Sequence, residues 1–282
     1  MKKYFTEKSR YLKKYERYLR YEEKSKITIE KYMRDIRHLY KYLEDRGMLD
    51  KDTMMDYKDY LIQNYATSSV NSMLVAANGY LAFIGLPECR VKLLKRQRKV
   101  FSSEEQELTK SEYMRLLKAS DRKETQRIHF ILQTICATGI RIGELPYVTI
   151  QAMKSGKAEV YNKGKSRVIL IPRKLCKRLK RYAEKQGIRE GSIFITRNHK
   201  PVNRSNVWAE MKKLSKKAGV AGEKVFPHNL RHLFARTYYK MEKDILKLAD
   251  LLGHSNIETT RIYTMTTGKE HERQIACLGL CT

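Results

Sequence analysis

The sequence predicts a mainly α protein with a small β-sheet, split into an N-terminal helical domain and a mixed α/β C-terminal domain. Three observations carry this. Residues 6–86 contain four stretches with apolar residues at helical spacing. A segment without period, 90–108, follows them. Beyond it, helical stretches flank one pair of alternating, β-branched runs at 157–172. A chain of 282 residues can fold as two domains with separate cores. The expected boundaries are 1–89, a linker at 90–108, and 109–282.

Residues 6–24 read as one helix with Leu12, Tyr15 and Leu19 as its apolar stripe and a basic remainder. Residues 27–47 read as a second, with Ile29, Tyr32, Met33, Ile36, Leu39, Tyr40 and Leu43 facing a core and Gly47 as the stop. Thr53 is expected to cap a third helix, and Ser68 or Ser69 a fourth. Four helices with short joins make a compact bundle. The segment 90–108 begins basic and ends rich in Ser and Glu, as a linker does.

The second domain opens on T-K-S-E, a capping box with Thr109 as N-cap and Glu112 at N3. The apolar helix 127–139 ends at Gly139, and Arg141 follows with Glu144 three residues on. The runs 157–162 and 166–172 read as a hairpin turning at Asn162-Lys163-Gly164-Lys165. A basic helix at 173–186, a short third strand at 192–196 and a helix at 203–219 carrying the only Trp come next. That last helix could offer Arg204 and Lys212 to a polyanion. Residues 268–280 read as a short amphipathic tail.

Lys and Arg number 59 against 31 Asp and Glu, a formal excess of +28. Such an excess attracts polyanions without specifying a fold. Nucleic acid is the first candidate partner and an anionic membrane surface the second. The sequence has no run of roughly 20 apolar residues that could span a bilayer, and the basic N-terminus lacks the apolar core of a signal peptide. Five scattered cysteines without a C-x-x-C pair suit a reducing cytoplasm and suggest no metal site.

The densest pattern lies at 226–264. His228 and Arg231, three apart, share a helix face. Leu230, Phe234, Ile245, Leu248, Leu251 and Leu252 have the spacing of a buried face. Gly253 can end a helix in a left-handed conformation, with His254 at the exit. Asn256 can cap a following helix that carries Tyr263. The order H-x-x-R, L-G-H, Tyr, preceded by A-T-G-x-R-x-x-E-L around Arg141, resembles the tyrosine recombinase (phage integrase) family. The likeness is strong over 109–264 and looser over 9–86, where the bundle resembles a core-binding domain. The layout is nearest to the two-domain, Xer-like members.

The resemblance implies a catalytic set of Arg141, Lys163, His228, Arg231, His254 and Tyr263, with Glu144 in an accessory role. Lys163 best matches the family's hairpin lysine, and Lys165 is the alternative, otherwise a DNA contact. The residue types suit the chemistry. Two guanidiniums can grip the non-bridging oxygens of a phosphodiester and stay protonated. A phenol with a pKa of about 10 needs a base or cationic surroundings to attack at neutral pH. His228 can take its proton, His254 can hydrogen-bond a phosphate oxygen, and a lysine can protonate the leaving 5′ oxygen.

The resemblance further implies a 3′-phosphotyrosine intermediate, with no cofactor and no metal. It implies inverted-repeat core sites in duplex DNA and a homo-oligomer on DNA, as a tetrameric synapse. The tail would dock on its own protomer or exchange in trans, and accessory DNA-bending proteins are a further expected partner. A type IB topoisomerase-like relaxing enzyme and a non-catalytic DNA-binding accessory protein are the competing readings.

Overall fold

The structure, a computed structural model, describes residues 8–44, 46, 49–95, 106–162, 165–254, 256–263 and 276–278. The chain folds into two compact units, Met1–Arg98 and Lys99–Thr282.

The first unit contains helices α1 (Lys8–Tyr21), α2 (Lys26–Leu43), α3 (Lys51–Asn64) and α4 (Thr67–Phe83). The predicted apolar stripes meet in one core, with Tyr15, Ile36, Leu39, Tyr40, Leu43, Tyr57 and Tyr80 almost wholly enclosed. Buried phenols need partners, and Tyr40 and Tyr80 supply each other with one at 2.6 Å. Two expected caps are corrected. Asp50, not Thr53, caps α3, and its carboxylate accepts from the Thr53 backbone at 2.9 Å. Neither Ser68 nor Ser69 caps α4, which already begins at Thr67 after Ala66. Gly47, the expected stop of α2, lies outside the described residues, and the helix ends at Leu43.

The linker is shorter at both ends than expected. Asn78 exchanges two hydrogen bonds with the Val91 backbone, at 2.8 and 3.0 Å, and Asn71 does the same with Leu94, at 2.9 and 2.8 Å. These amide side chains behave like a strand partner and hold 91–94 on the bundle. At the other end Leu108 is fully buried in the second unit. Residues 96–105 lie outside the described residues.

The second unit is built on α6 (Gln126–Thr138), most of whose residues are buried. Around it pack α5 (Lys110–Ser120), α8 (Arg173–Lys185), α9 (Arg204–Lys217) and α10 (Pro227–Glu242). The predicted box at Thr109 and Glu112 caps α5. A short helix α7 (Ile150–Ser155) leads into strands β1 (Lys157–Asn162) and β2 (Lys165–Leu170), which pair antiparallel from Lys157↔Leu170 to Asn162↔Lys165. Lys163 and Gly164 lie outside the described residues.

The expected strand at 192–196 is not a strand. It makes only isolated bridges, Thr149↔Ser192 and Ile195↔Pro201, with Ile193 and Phe194 buried as plugs. Pro201 has no N–H to extend a ladder there. Helices α11 (Ile245–Leu252) and α12 (Glu258–Arg261) complete the described chain apart from 276–278. The tail reading at 268–280 falls mostly outside the described residues. Among them, no helix is long and apolar enough to cross a membrane.

Candidate active site

Two glycines shape the site. Gly139 ends α6 with φ +62°, and a Cβ there would meet Phe234 of α10 at 2.5 Å. Gly253 ends α11 with φ +61°, and a Cβ there would meet Arg167 at 2.3 Å. Both positions therefore need the left-handed backbone and the missing side chain. They turn the chain so that Arg141 and His254 emerge beside α10.

The last carbonyls of a helix have no partner within it and carry its negative dipole end. At the end of α11 three successive carbonyls are taken by three different arginines. Arg167 Nη1 donates to Leu251 O at 2.8 Å, Arg231 Nη2 to Leu252 O at 2.7 Å, and Arg141 Nη2 to Gly253 O at 3.2 Å. Arg231 also donates to the carbonyl of Gly139. One helix terminus thereby gathers guanidiniums from three elements.

Glu144, 2% exposed, compensates this charge. Its carboxylate accepts from Arg141 Nη1 at 3.2 Å, from the Arg141 backbone at 2.8 Å and from Arg167 Nη2 at 2.6 Å. Burial by itself would raise its pKa, but the hydrogen bonds from Arg167 and Arg141 outweigh that and hold it below the ordinary carboxylate value. The Arg231 guanidinium, buried and beside Arg141, is lowered to about 10 and remains charged at neutral pH.

His254 sits between Arg231 and Thr260. Arg231 Nη2 lies 3.1 Å from its Nε2, and Thr260 Oγ1 lies 2.8 Å from its Nδ1. A guanidinium can only donate, so Nε2 accepts and Nδ1 carries the proton. Burial, then the surrounding Arg231, Arg141 and Arg167, lowers the His254 pKa to about 4. The imidazole is neutral at physiological pH.

Tyr263 lies in the turn just after α12, not within a helix as expected, because α12 spans only Glu258–Arg261. Asn256 still accepts from the Glu258 backbone at 2.8 Å, as a cap would. The Tyr263 ring is 3% exposed and packs with Ala235, Leu248 and Leu252. It stacks on His254, with centroids 6.1 Å apart, and meets His232 edge-on at 4.7 Å.

His228 stands one ring further out. Its Nε2 is 2.9 Å from that of His232, and the two rings are 4.3 Å apart. Partial desolvation, then Arg231 and Arg141, lowers its pKa. The pKa of His232 is lowered to about 4 by burial, then by His228 and Arg231. His232 therefore separates His228 from Tyr263.

The structure thus brings together Arg141, Glu144, His228, Arg231, His254 and Tyr263. Lys163 lies outside the described residues, and Lys165 is placed only as the first residue of β2. Arg204 lines a recess of about 340 Å³ with Arg141, His228 and Arg231. Lys212 is tied to the carbonyl of Gly222 and sits 5.2 Å from the Trp208 ring.

Sequence reasoning missed Arg167, His232 and Thr260. His232 follows Arg231 directly and lies four residues from His228, so helical spacing could have found it. Arg167 and Thr260 carry no local signal.

Residues 106–270 match the model of the phage integrase family, and residues 12–85 match the phage integrase N-terminal SAM-like domain. The chain is 30% identical to the tyrosine recombinase XerA of Pyrococcus furiosus over 94% of this chain and 92% of that protein. It is 31% identical to that of Thermococcus kodakarensis over 95% of each. A crystal structure of a XerA recombinase superposes with a TM-score of 0.53 at 22% identity, over 98% of this chain and 100% of that one. A lambda integrase dimer bound to a COC′ core site gives 0.73 at 18% identity, over 90% of this chain and 94% of that one, which is a likeness of fold. With the family model covering more than half of its length, the chain belongs to the phage integrase family.

Proposed function

We propose that this protein acts on duplex DNA as a site-specific tyrosine recombinase, with Tyr263 as the nucleophile. The observation that carries the reading is the meeting of Arg141, Arg231, His254 and Tyr263 around the end of α11. Arg141 and Arg231 grip the non-bridging oxygens of the scissile phosphate, where preorganised positive charge stabilises the transition state most. Tyr263 Oη attacks phosphorus and the bond to the 5′ oxygen breaks. The phenol proton passes to His228 by way of His232, whose ring lies against both Tyr263 and His228. The hairpin lysine, Lys163 before Lys165, protonates the leaving oxygen. The strand ends as a 3′-phosphotyrosine and a free 5′ hydroxyl. A 5′ hydroxyl from the partner duplex then attacks that ester and restores the phosphodiester, so bond energy is conserved without an external cofactor.

His254 contributes after DNA arrives. A phosphate between the arginines offsets the charges that depress the His254 pKa, and the ring can then donate from Nε2 to a phosphate oxygen. The +28 excess draws the duplex in. The helical first unit acts as a clamp on the same DNA, with residues around 96–105 as the link. We further propose inverted-repeat core sites, a tetrameric synapse with the tail docking in cis or in trans, accessory DNA-bending proteins, and a cytoplasmic location, which the cysteine usage suits.

The test is a suicide duplex nicked near the cleavage point. Wild-type protein should form an SDS-resistant adduct whose DNA-linked peptide contains Tyr263. Tyr263→Phe should bind the duplex without forming an adduct, while Tyr238→Phe and Tyr239→Phe should still form it. An adduct mapped to another residue would overturn the reading.

A further inference from the structure

The recess beside the arginines is larger and more apolar than a phosphate requires. Its lining includes three cations, Arg141, Arg204 and Arg231, together with His228. The same recess is lined by the apolar Ile142, Trp208 and Phe226. Trp208 is the only tryptophan in the chain and is 50% exposed. It does not serve the core of α9, which Val207, Met211 and Leu214 already fill at 0–2% exposure. Arg204, Trp208 and Lys212 recur every four residues and share a helix face. The Lys212 ammonium braces the indole at 5.2 Å and is itself anchored to Gly222. The chain thus holds a large aromatic side chain in the recess that Arg141 and Arg231 line, where burial gives no reason for it.

A diester phosphate bound to these arginines brings its two attached deoxyriboses. In a duplex the base faces are stacked on each other, whereas the apolar C–H faces of the sugars lie outside and are the same for every sequence. We propose that Trp208 is a substrate-binding residue that packs on the deoxyribose next to the scissile phosphate and so orients that phosphate between Arg141 and Arg231. This rests on the recombinase reading above. The contact is independent of base identity, so it affects the rate of the covalent step more than the choice of site. Orientation errors of about an ångström can cost a hundredfold in rate.

The indole reports on itself. Tyr263→Phe protein is titrated with a duplex selected by the protein from a randomised pool. Emission is excited at the red edge, where tyrosine does not absorb. Emission should shift or quench with the same midpoint as the anisotropy of labelled duplex. Inorganic phosphate, which can engage the arginines alone, should leave it nearly unchanged. In single-turnover adduct formation with saturating duplex, Trp208→Ala should be about tenfold slower or more, with Trp208→Phe within about threefold of wild type.

Duplex binding without any change in emission would overturn the proposal, as would a response to phosphate equal to that to duplex. An adduct rate unchanged in Trp208→Ala would do the same. If wild-type adduct maps to Tyr263 while the indole stays silent, only this inference fails. If no adduct forms on Tyr263, the recombinase reading fails with it.

Discussion

Arg231 donates to Nε2 of His254 at 3.1 Å, and this contact fixes which nitrogen of the imidazole carries the proton. The Nδ1 proton points to Thr260, itself fully buried. The same guanidinium takes the carbonyls of Gly139 and Leu252. One arginine therefore ties the ends of α6 and α11 together and sets the face against which Tyr263 stacks. The groups that would handle phosphate also hold the fold of the second unit.

This arrangement makes stability depend on acid. His254 and His232 have folded-state pKa values of about 4 against an ordinary 6.5. The unfolded chain binds protons first, so the stabilisation from keeping the rings neutral is full above about 6.5. It is lost as pH falls from there towards 4. With partial solvent exposure discounted, each ring accounts for on the order of 1 kcal/mol. The melting temperature should decline over that window. Gln in place of both histidines should flatten the decline, whatever it does to the melting temperature at neutral pH. An unaltered slope in the double variant would remove these rings as its source.

Glu144 holds two arginines in a buried position, and breaking such a pair strands charge away from water. Glu144→Ala should lower unfolding free energy by about 3 kcal/mol in urea titration. Glu144→Gln keeps an acceptor for the Arg141 backbone and should cost less. In both variants Arg141 loses its orienting carboxylate, so adduct formation at saturating duplex should slow even where the protein is fully folded. Normal rates in folded Glu144→Ala would show that Arg141 is positioned by Gly253 O alone.

Much of this site was legible in the sequence because its parts are local. Gly139 and Gly253 sit where apolar helical runs stop, and H-x-x-R falls on one turn. The hairpin shows in the alternation of 157–172. The rest depends on contacts between distant segments. Arg167 looks like an ordinary strand residue until β2 passes the end of α11, and nothing near Thr260 marks it as a partner for His254. The caps misassigned at Thr53 and Ser68 or Ser69 failed for another reason. At α3 the Asp50 carboxylate lies three residues earlier and takes the cap from Thr53, and at α4 the helix begins after Ala66 with no side-chain cap at all.

Gly139→Ala tests the close approach of α6 to α10. The substitution would strain a backbone at φ +62° and drive a methyl to 2.5 Å from the Phe234 ring. Stability should fall by about 2 kcal/mol or more, read as a lower urea midpoint. Adduct formation should fall with it, since the Gly139 carbonyl seats Arg231. Gly143→Ala is the control, because a Cβ there meets nothing within 4 Å. It should leave both readouts near wild type, and equal damage from the two substitutions would rule out the steric account.

The two hairpin lysines can be separated by leaving-group chemistry. A general acid is needed because the 5′ alkoxide is a poor leaving group, and a bridging 5′ phosphorothiolate leaves as a thiolate without protonation. Lys163→Ala should therefore form adduct slowly on normal DNA, by about a hundredfold or more, and recover most of the loss on the phosphorothiolate duplex. Lys165→Ala should lose less, and whatever it loses should remain on the modified duplex, because a phosphate contact is needed with either leaving group. Its duplex affinity should also become less salt-dependent, with the slope reduced by about one phosphate. The opposite pattern, rescue of Lys165→Ala but not of Lys163→Ala, would assign the acid to the first residue of β2. Rescue of neither would move the leaving-group proton to a residue outside the hairpin.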